Sequence, residues 1–333
     1  MAFYDSLKLE KGMYNVNFTR ALEALDPSEN YEGTELAGLD AYERQLKRFD
    51  IKVKGQNSDI IEKFFQNSDS AVLFPEYIKR AVEQGMISAS VLPSIVATLT
   101  KVDTKDYRPI ALATEEGSDS QTIEGASLPE TVISNQSNLI SMKKRGRVIS
   151  SSYEAMRLSR LDLFSVTLRQ IGAEIARMQL GDAVSVLVNG DGNSNPAGQT
   201  DPVSESGIAY ADLLALWADL APFELNTILA NTSTMQAVLS LAEMKDAAAG
   251  LDFQGTGKMI TPLGANLLRA DSVADKVLIG FDKNCALEMV QAGDIIIDYD
   301  RLIDKQLERT TISSIVGFAK IFPNAAKTLT YEA

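Results

Sequence analysis

Apolar positions fall into two rhythms along this chain, and each predicts a different kind of element. Leu161, Phe164, Leu168, Ile171, Ile175 and Met178 recur at steps of three and four, the signature of a helix with one buried face. Continued to Leu187, this helix would be about 39 Å long at 1.5 Å per residue. Ser159, with Asp162 three residues on, predicts a capping box at its start. Gly172 and Gly181 each cost about 1 kcal/mol relative to alanine inside a helix, which predicts another element crossing closely at both. Leu36, Leu39, Tyr42, Leu46 and Phe49 keep the same step with a thinner seam, predicting an amphipathic helix.

The alternating rhythm appears in Thr131–Ser134 and Leu139–Met142, inside a polar stretch over 109–147 rich in Gly, Ser, Thr, Asn and Gln. With turn residues at Gly117–Ser120 and Gly125–Pro129, it predicts a long hairpin. Such a hairpin is marginal alone in water, so another subunit is expected to supply the surface it lies on. Between Asp69 and Pro93 the chain turns apolar. After the break at Asn189–Gly198 the reading is a helix over 210–220, a strand over 225–230, a helix over 233–249, and short strands near 277–280 and 295–299. Residues 310–322 are β-like. The fold class is α+β.

Charge changes the picture at the N-terminal end. Glu23, Asp26, Glu29, Glu32, Glu35, Asp40 and Glu43 lie between Arg20 and Arg44 without a basic residue, and Arg44, Lys47, Arg48, Lys52 and Lys54 follow. A solvated surface helix and a partner-binding arm both fit this pattern. The whole chain has 333 residues, 32 basic and 45 acidic side chains and a net charge of −13. Its pI near 4.7 argues against sequence-specific DNA binding, which leaves a basic footprint. The absence of histidine excludes imidazole-based nucleophile pairs and zinc sites. A single cysteine, Cys285, excludes an intrachain disulfide and fits a reducing compartment. The opening residues lack the basic-then-apolar order of a signal peptide, and no apolar run approaches a membrane span.

Several segments resemble chemical motifs and fail on inspection. Gly190-Asp191-Gly192 has Asn195 where a dinucleotide fingerprint needs its third glycine, and it follows a helix rather than a strand. The same segment opens like a calcium loop but places Pro196 and Pro202 where glycine and glutamate belong; a helix-terminating turn is the simpler reading. Gly257-Lys258 is followed by Met259 and is no phosphate loop. Asp294, Asp298, Asp300 and Asp304 form an acidic group, and Asp298 and Asp300 would share a strand face, so a metal-dependent enzyme is a rival reading. Trp217 and the methionines read as core, and Cys285 as a small apolar residue. The densest basic cluster is Lys143, Lys144, Arg145 and Arg147, while Glu115, Glu116, Asp119, Glu124 and Glu130 lie on the outgoing half and tip of the hairpin.

The order of these parts resembles the major capsid proteins of tailed phages, the Hong Kong 97-like fold. Glu124–Pro129 looks like the tip of that family's extended loop, and Ser159–Leu187 like its spine helix. Asn189-Gly190-Asp191-Gly192 with Asn195-Pro196 and Gly198 is similar to the turn into its axial domain. Ile228–Thr234, Thr261–Gly264 and Val277–Gly280 resemble axial-domain segments, and Lys320–Ala326 the closing proline-centred stretch. The resemblance covers about residues 69–333. It implies an N-terminal arm over 1–70, a peripheral domain over 71–108 and 148–205, and an extended loop over 109–147. The axial domain would span 206–291, the return strand 292–319 and a C-terminal segment 320–333. Residues 1–70 are expected to stay as an arm or act as a built-in assembly guide.

What the resemblance implies for function is a structural subunit of an icosahedral phage head. It would assemble with itself into hexamers and pentamers in the host cytoplasm, enclose double-stranded DNA without sequence-specific binding, and end in the virion. Portal and scaffold or decoration proteins are the implied partners; no cofactor, catalytic residue or membrane is implied. The alternative is an encapsulin-like compartment shell holding a cargo enzyme. Some relatives crosslink an extended-loop lysine to a neighbour's asparagine, but no lysine lies between Lys105 and Lys143, so that chemistry is not expected. The nine charged hairpin residues named above are expected to pair between adjacent copies, because within one hairpin they lie too far apart.

Overall fold

The computed structural model describes residues 7–9, 17–114, 131–152, 158–245, 259–302, 304 and 307–332. Along the chain come helices α1 (Phe18–Leu25), α2 (Ala41–Arg48) and α3 (Phe74–Ala89), then strands β1 (Thr98–Val102), β2 (Ile110–Thr114), β3 (Thr131–Asn135) and β4 (Lys143–Ser152). Helix α4 (Leu161–Asn189) is followed by β5 (Gly198–Thr200), α5 (Tyr210–Asp219), β6 (Thr227–Ala230) and α6 (Thr232–Leu239). The chain closes with β7 (Asn266–Arg269), β8 (Val277–Phe281), β9 (Leu287–Ala292), β10 (Ile296–Leu302), β11 (Leu307–Lys320) and β12 (Ala326–Thr330). Two compact units result. One comprises residues 1–89, 146–176 and 295–313, the other 90–145, 177–294 and 314–333.

In the first unit, α3 packs on β10 and crosses the first half of α4. The crossing is close because both helices carry glycine at it. A Cβ on Gly172 would collide with the Val82 carbonyl and lie 2.9 Å from the Met86 nitrogen, and one on Gly85 would lie 2.6 Å from Arg169 Cα. Beside the crossing, Phe64, Phe74, Tyr77 and Phe164 form a ring cluster with centroids 5.5 to 6.4 Å apart. Helix α4 starts at Leu161, whose N–H donates to the Asp59 carbonyl at 2.9 Å. The Tyr77 hydroxyl donates to the Leu161 carbonyl.

The charge-patterned N-terminal stretch is packed into this unit. Phe18, Leu22, Tyr31, Tyr42, Leu46, Ile61 and Phe64 are buried. The helix expected from Leu36 begins only at Ala41, where Asp40 and Glu43 form a capping box; Leu36 and Leu39 lie in the preceding turns, with Gly38 at φ +84°. Arg44 is fully buried: Nε donates to Asp26 Oδ2 at 2.8 Å, Nη1 to Ser28 Oγ at 3.0 Å and to the Leu39 carbonyl at 2.7 Å, and Nη2 to the Asp26 carbonyl. Its guanidinium sits 4.3 Å over the Tyr31 ring.

The second unit packs a core on each face of one sheet, and the far half of α4 lies in one of them. A five-stranded sheet runs β5-β12-β8-β6-β7, with β12 and β6 both antiparallel to β8 and the edge strands β5 and β7 parallel to their neighbours. One face packs Leu180, Ala183, Val184 and Leu187 of α4 against Leu229, Ile279 and Phe281. The other packs Leu213, Leu216 and Leu220 against Ile228, Leu278 and Leu329. Beside it, β1 runs parallel to β9, and β9 antiparallel to Val316–Lys320 of β11. Gly181 differs from Gly172: its Cβ would meet only Ser272 at an ordinary 3.6 Å, so among the described residues nothing crosses closely there. Trp217 is also a correction, being 54% exposed rather than core. The helix expected over 233–249 stops at Leu239, followed by a short turn of helix at Ala242–Lys245; residues 246–249 lie outside the described residues.

Candidate functional site

The expected hairpin exists, with one of its two expected strands, Thr131–Ser134, in place. β2 and β3 pair antiparallel, Ile110 opposite Asn135 through Thr114 opposite Thr131. Leu139–Met142 is not part of the ladder; Ile140 is instead buried against Val290 and Ala319, with Met142 beside it. The basic run that follows belongs to β4, which pairs with β11, so it is not the hairpin's returning strand. The acidic members of the expected constellation, Glu115, Glu116, Asp119, Glu124 and Glu130, lie outside the described residues.

The root of the hairpin is fixed by polar contacts. The Gln136 N–H donates to the Pro109 carbonyl at 2.8 Å and the Ile140 N–H to the Tyr107 carbonyl at 3.1 Å. The Tyr107 hydroxyl donates to Glu288 Oε1 at 2.8 Å; burial and this carboxylate push the phenol up to about 12. Asn138 bridges to the turn after α4: its N–H donates to Asn193 Oδ1 at 2.9 Å and its amide to the Gly192 carbonyl at 2.8 Å. Beyond this root the ladder exposes Ile110, Val132 and Ile133, the last 70% exposed. A rigid base thus carries a ribbon with uncovered apolar side chains.

The turn that receives Asn138 explains why its sequence mimicked two chemical motifs. Gly190 and Gly192 have φ of +87° and +99°, a region open to glycine without a side-chain clash. Asp191 accepts the Asn193 N–H at 3.1 Å and the Lys320 N–H at 2.9 Å, while the Asp191 N–H donates to Asn195 Oδ1 at 3.0 Å. The aspartate and asparagines therefore organise backbone. Lys320 is fully buried here, its Nζ 3.4 Å from the Leu187 carbonyl at the end of α4. Burial pushes its ammonium down to about 8 against the attraction of Asp191.

Three of the four clustered cations have partners within their own chain. Lys143 Nζ donates to Asp182 Oδ1 at 3.0 Å; Arg145 grips the same carboxylate with Nε at 2.8 Å and Nη2 at 2.6 Å. Burial alone would raise the Asp182 carboxyl, but the hydrogen bonds and charges of Arg145 and Lys143 outweigh it and hold it below the usual carboxylate range. Arg147 pairs with Glu174 at 2.6 Å. Sequence spacing missed both carboxylates because they sit on α4, tens of residues away. Lys144 alone is exposed without a partner among the described residues.

The rival acidic group does not assemble. Asp298 and Asp300 are exposed on β10, Asp294 faces Lys101 at 3.6 Å, and among the described residues no three acidic or cysteine side chains converge. Burial, with Asp282 nearby, pushes the Cys285 thiol up, away from its reactive form. Among the described residues no helix is long and apolar enough to cross a membrane.

No sequence-family model and no curated protein matches the chain. Solved structures do. The capsid of the native GTA particle aligns with a TM-score of 0.54 at 17% identity, covering 75% of this chain and 91% of that one. The virus-like particle from Pyrococcus furiosus aligns at 0.53 and 10% identity, over 76% of this chain and 98% of that one. The Mycobacterium phage Bobi chain aligns at 0.51 and 13% identity, over 74% and 91%. At these identities the likeness is one of fold.

Proposed function

From the Hong Kong 97-like capsid fold that this chain has, we propose that it is a structural subunit of an icosahedral phage head, assembling into hexamers and pentamers around double-stranded DNA. The observation that carries this reading is coverage: nearly the whole of each of these three chains, 91% in the GTA capsid and the Mycobacterium phage Bobi chain and 98% in the virus-like particle, finds its counterpart here. A rigidly rooted ribbon with uncovered apolar side chains supports it, because such a ribbon gains stability only from a neighbour. A net charge of −13 suits a container that holds a polyanion without neutralising its phosphates. The protein then acts in the virion through contacts and not through catalysis, with portal and scaffold or decoration proteins as further partners.

The hairpin charges enter this reading in reduced form. Lys143, Arg145 and Arg147 are satisfied within the subunit, which leaves Lys144 to meet acidic groups such as Glu115, Glu116, Asp119, Glu124 or Glu130 of an adjacent copy. The test of function is direct: purified protein is concentrated and viewed by negative-stain microscopy, and nuclease-protected DNA is assayed in particles from infected or expressing cells. Closed shells protecting DNA are expected; a chain that stays monomeric at every concentration ends the proposal. The match to the virus-like particle keeps the cargo-compartment reading as the second, and shells that copurify with an enzyme and protect no DNA would establish it.

A further inference from the structure

Two features toward opposite edges of the β5-β12-β8-β6-β7 sheet have no partner among the described residues. At the β5–β12 edge, α5 packs inward on both strands and turns Leu214 and Trp217, 41% and 54% exposed, to the outside. Ala211 and Ala218 extend the same outer face. At the other edge, α6 and β7 border an open cavity of about 570 Å³ whose walls include Met235, Leu239, Met259, Leu267 and Leu268. Arg269 is the one charged residue among its described lining.

We infer that Trp217 of one copy inserts into the α6–β7 cavity of the next, as a head-to-tail contact between identical chains. This rests on the shell-subunit reading and names a contact within it. The occupant is a second copy for two reasons. Helices α5 and α6 share one core cluster and lie toward opposite edges of the sheet, so every copy offers both a knob and a hole. Joined knob to hole from copy to copy, such a contact can run head-to-tail and close as a ring. Charge also matches. Exposed Asp219 ends α5, and exposed Asp201 and Glu205 precede it. The hole offers Arg269, which is 62% exposed and holds Asp271 only at 3.7 Å. An arginine at the rim of an aromatic's pocket also adds a cation–π contact.

The knob is held ready. Asp212 on the first turn of α5 accepts the N–H groups of Val203 at 2.7 Å, Ser204 at 3.0 Å and Ala209 at 2.7 Å. Those bonds fix the preceding loop on the helix, so little ordering remains to be done on contact.

Trp217 is the only tryptophan, so its fluorescence reports this contact without a label. Assembly should shift its emission to the blue and protect it from iodide quenching. Trp217→Ala should raise the concentration needed for assembly by about tenfold or more, as central aromatic contacts do, and Ser240→Trp, which fills the hole, should do the same. Both sites are on the surface, so circular dichroism should be unchanged. With Cys285→Ser, a Trp217→Cys and Gln236→Cys chain treated with a short bismaleimide should give a ladder of linked copies. If the parent forms shells while Trp217 stays open to iodide and Trp217→Ala assembles at the parent's concentration, this inference falls and the shell reading stands. If the parent never leaves the monomeric state, both fall.

Discussion

Gly85 and Gly172 lie at one crossing of α3 and α4, each giving up its side chain to the backbone of the other helix. Because the clashing atoms are backbone, neither helix can accommodate a methyl group by turning a side chain aside. Gly172→Ala should therefore destabilise the unassembled subunit by about 1–3 kcal/mol, even though alanine is worth about 1 kcal/mol more than glycine inside a helix. Gly181→Ala, with only Ser272 at 3.6 Å, should be neutral or stabilising by up to about 1 kcal/mol. Urea unfolding of the two variants side by side checks the contrast; equal losses would remove the crossing as the explanation.

Lys144 and Arg145 are adjacent in sequence and should separate sharply in effect. Arg145→Glu sets a like charge against Asp182 and removes its bidentate partner, and should cost the subunit roughly 1–3 kcal/mol. Lys144→Glu should leave subunit stability within about 0.5 kcal/mol and act, in the proposed shell, on assembly alone. Its effect should fade toward 1 M salt, where the Debye length is about 3 Å. Thermal melts and light scattering against salt measure the two arms.

The Asp182 carboxyl is held low in the fold, so the unfolded chain binds its proton first as pH falls. Its stabilisation is present above about pH 4 and is lost as pH drops through the lower native value. Asp182→Asn should accordingly be less stable than the parent at neutral pH, with the gap closing below about pH 4. A gap that persists undiminished at pH 2 would place the role of Asp182 in shape rather than charge.

Lys320 acts in the same sense but in an alkaline window. Below about pH 8 both folded and unfolded chains carry the proton, and burial of the charge is a constant cost. Between about 8 and the ordinary lysine value near 10.4 the native state releases its proton first,, so this group makes stability rise with pH. Lys320→Met should be more stable than the parent at pH 7, by roughly 3 kcal/mol at most, and should lose that advantage as pH approaches 10. Parallel denaturant titrations at several pH values give the difference curve.

Local regularity carried well from sequence to structure, and distant pairing did not. The α4 pattern was readable because its apolar step persists over many turns, and β3 because its residues alternate, but its partner β2 was not singled out and Leu139–Met142 alternates without joining the ladder. β4 on β11 and β1 on β9 join segments more than a hundred residues apart, which no local pattern encodes. Charge was misleading at Arg44 and at the cations of β4. A run of charged residues ordinarily marks a solvated face, yet Arg44 is buried on Asp26 and Tyr31, and Asp182 and Glu174 wait on α4. Trp217 failed in the reverse sense, since a large aromatic ordinarily belongs inside.

The buried Arg44 makes the N-terminal region indivisible. Its guanidinium draws on Asp26, Ser28 and Leu39 at once, so a cut anywhere from Ser28 to Leu39 strands a desolvated cation without its full complement of acceptors. Trimming that reaches past Leu25 is therefore all-or-none. The stretch from Asp26 through Arg44 must be kept whole, or Arg44 must leave with it and take α2 out of the packed layer.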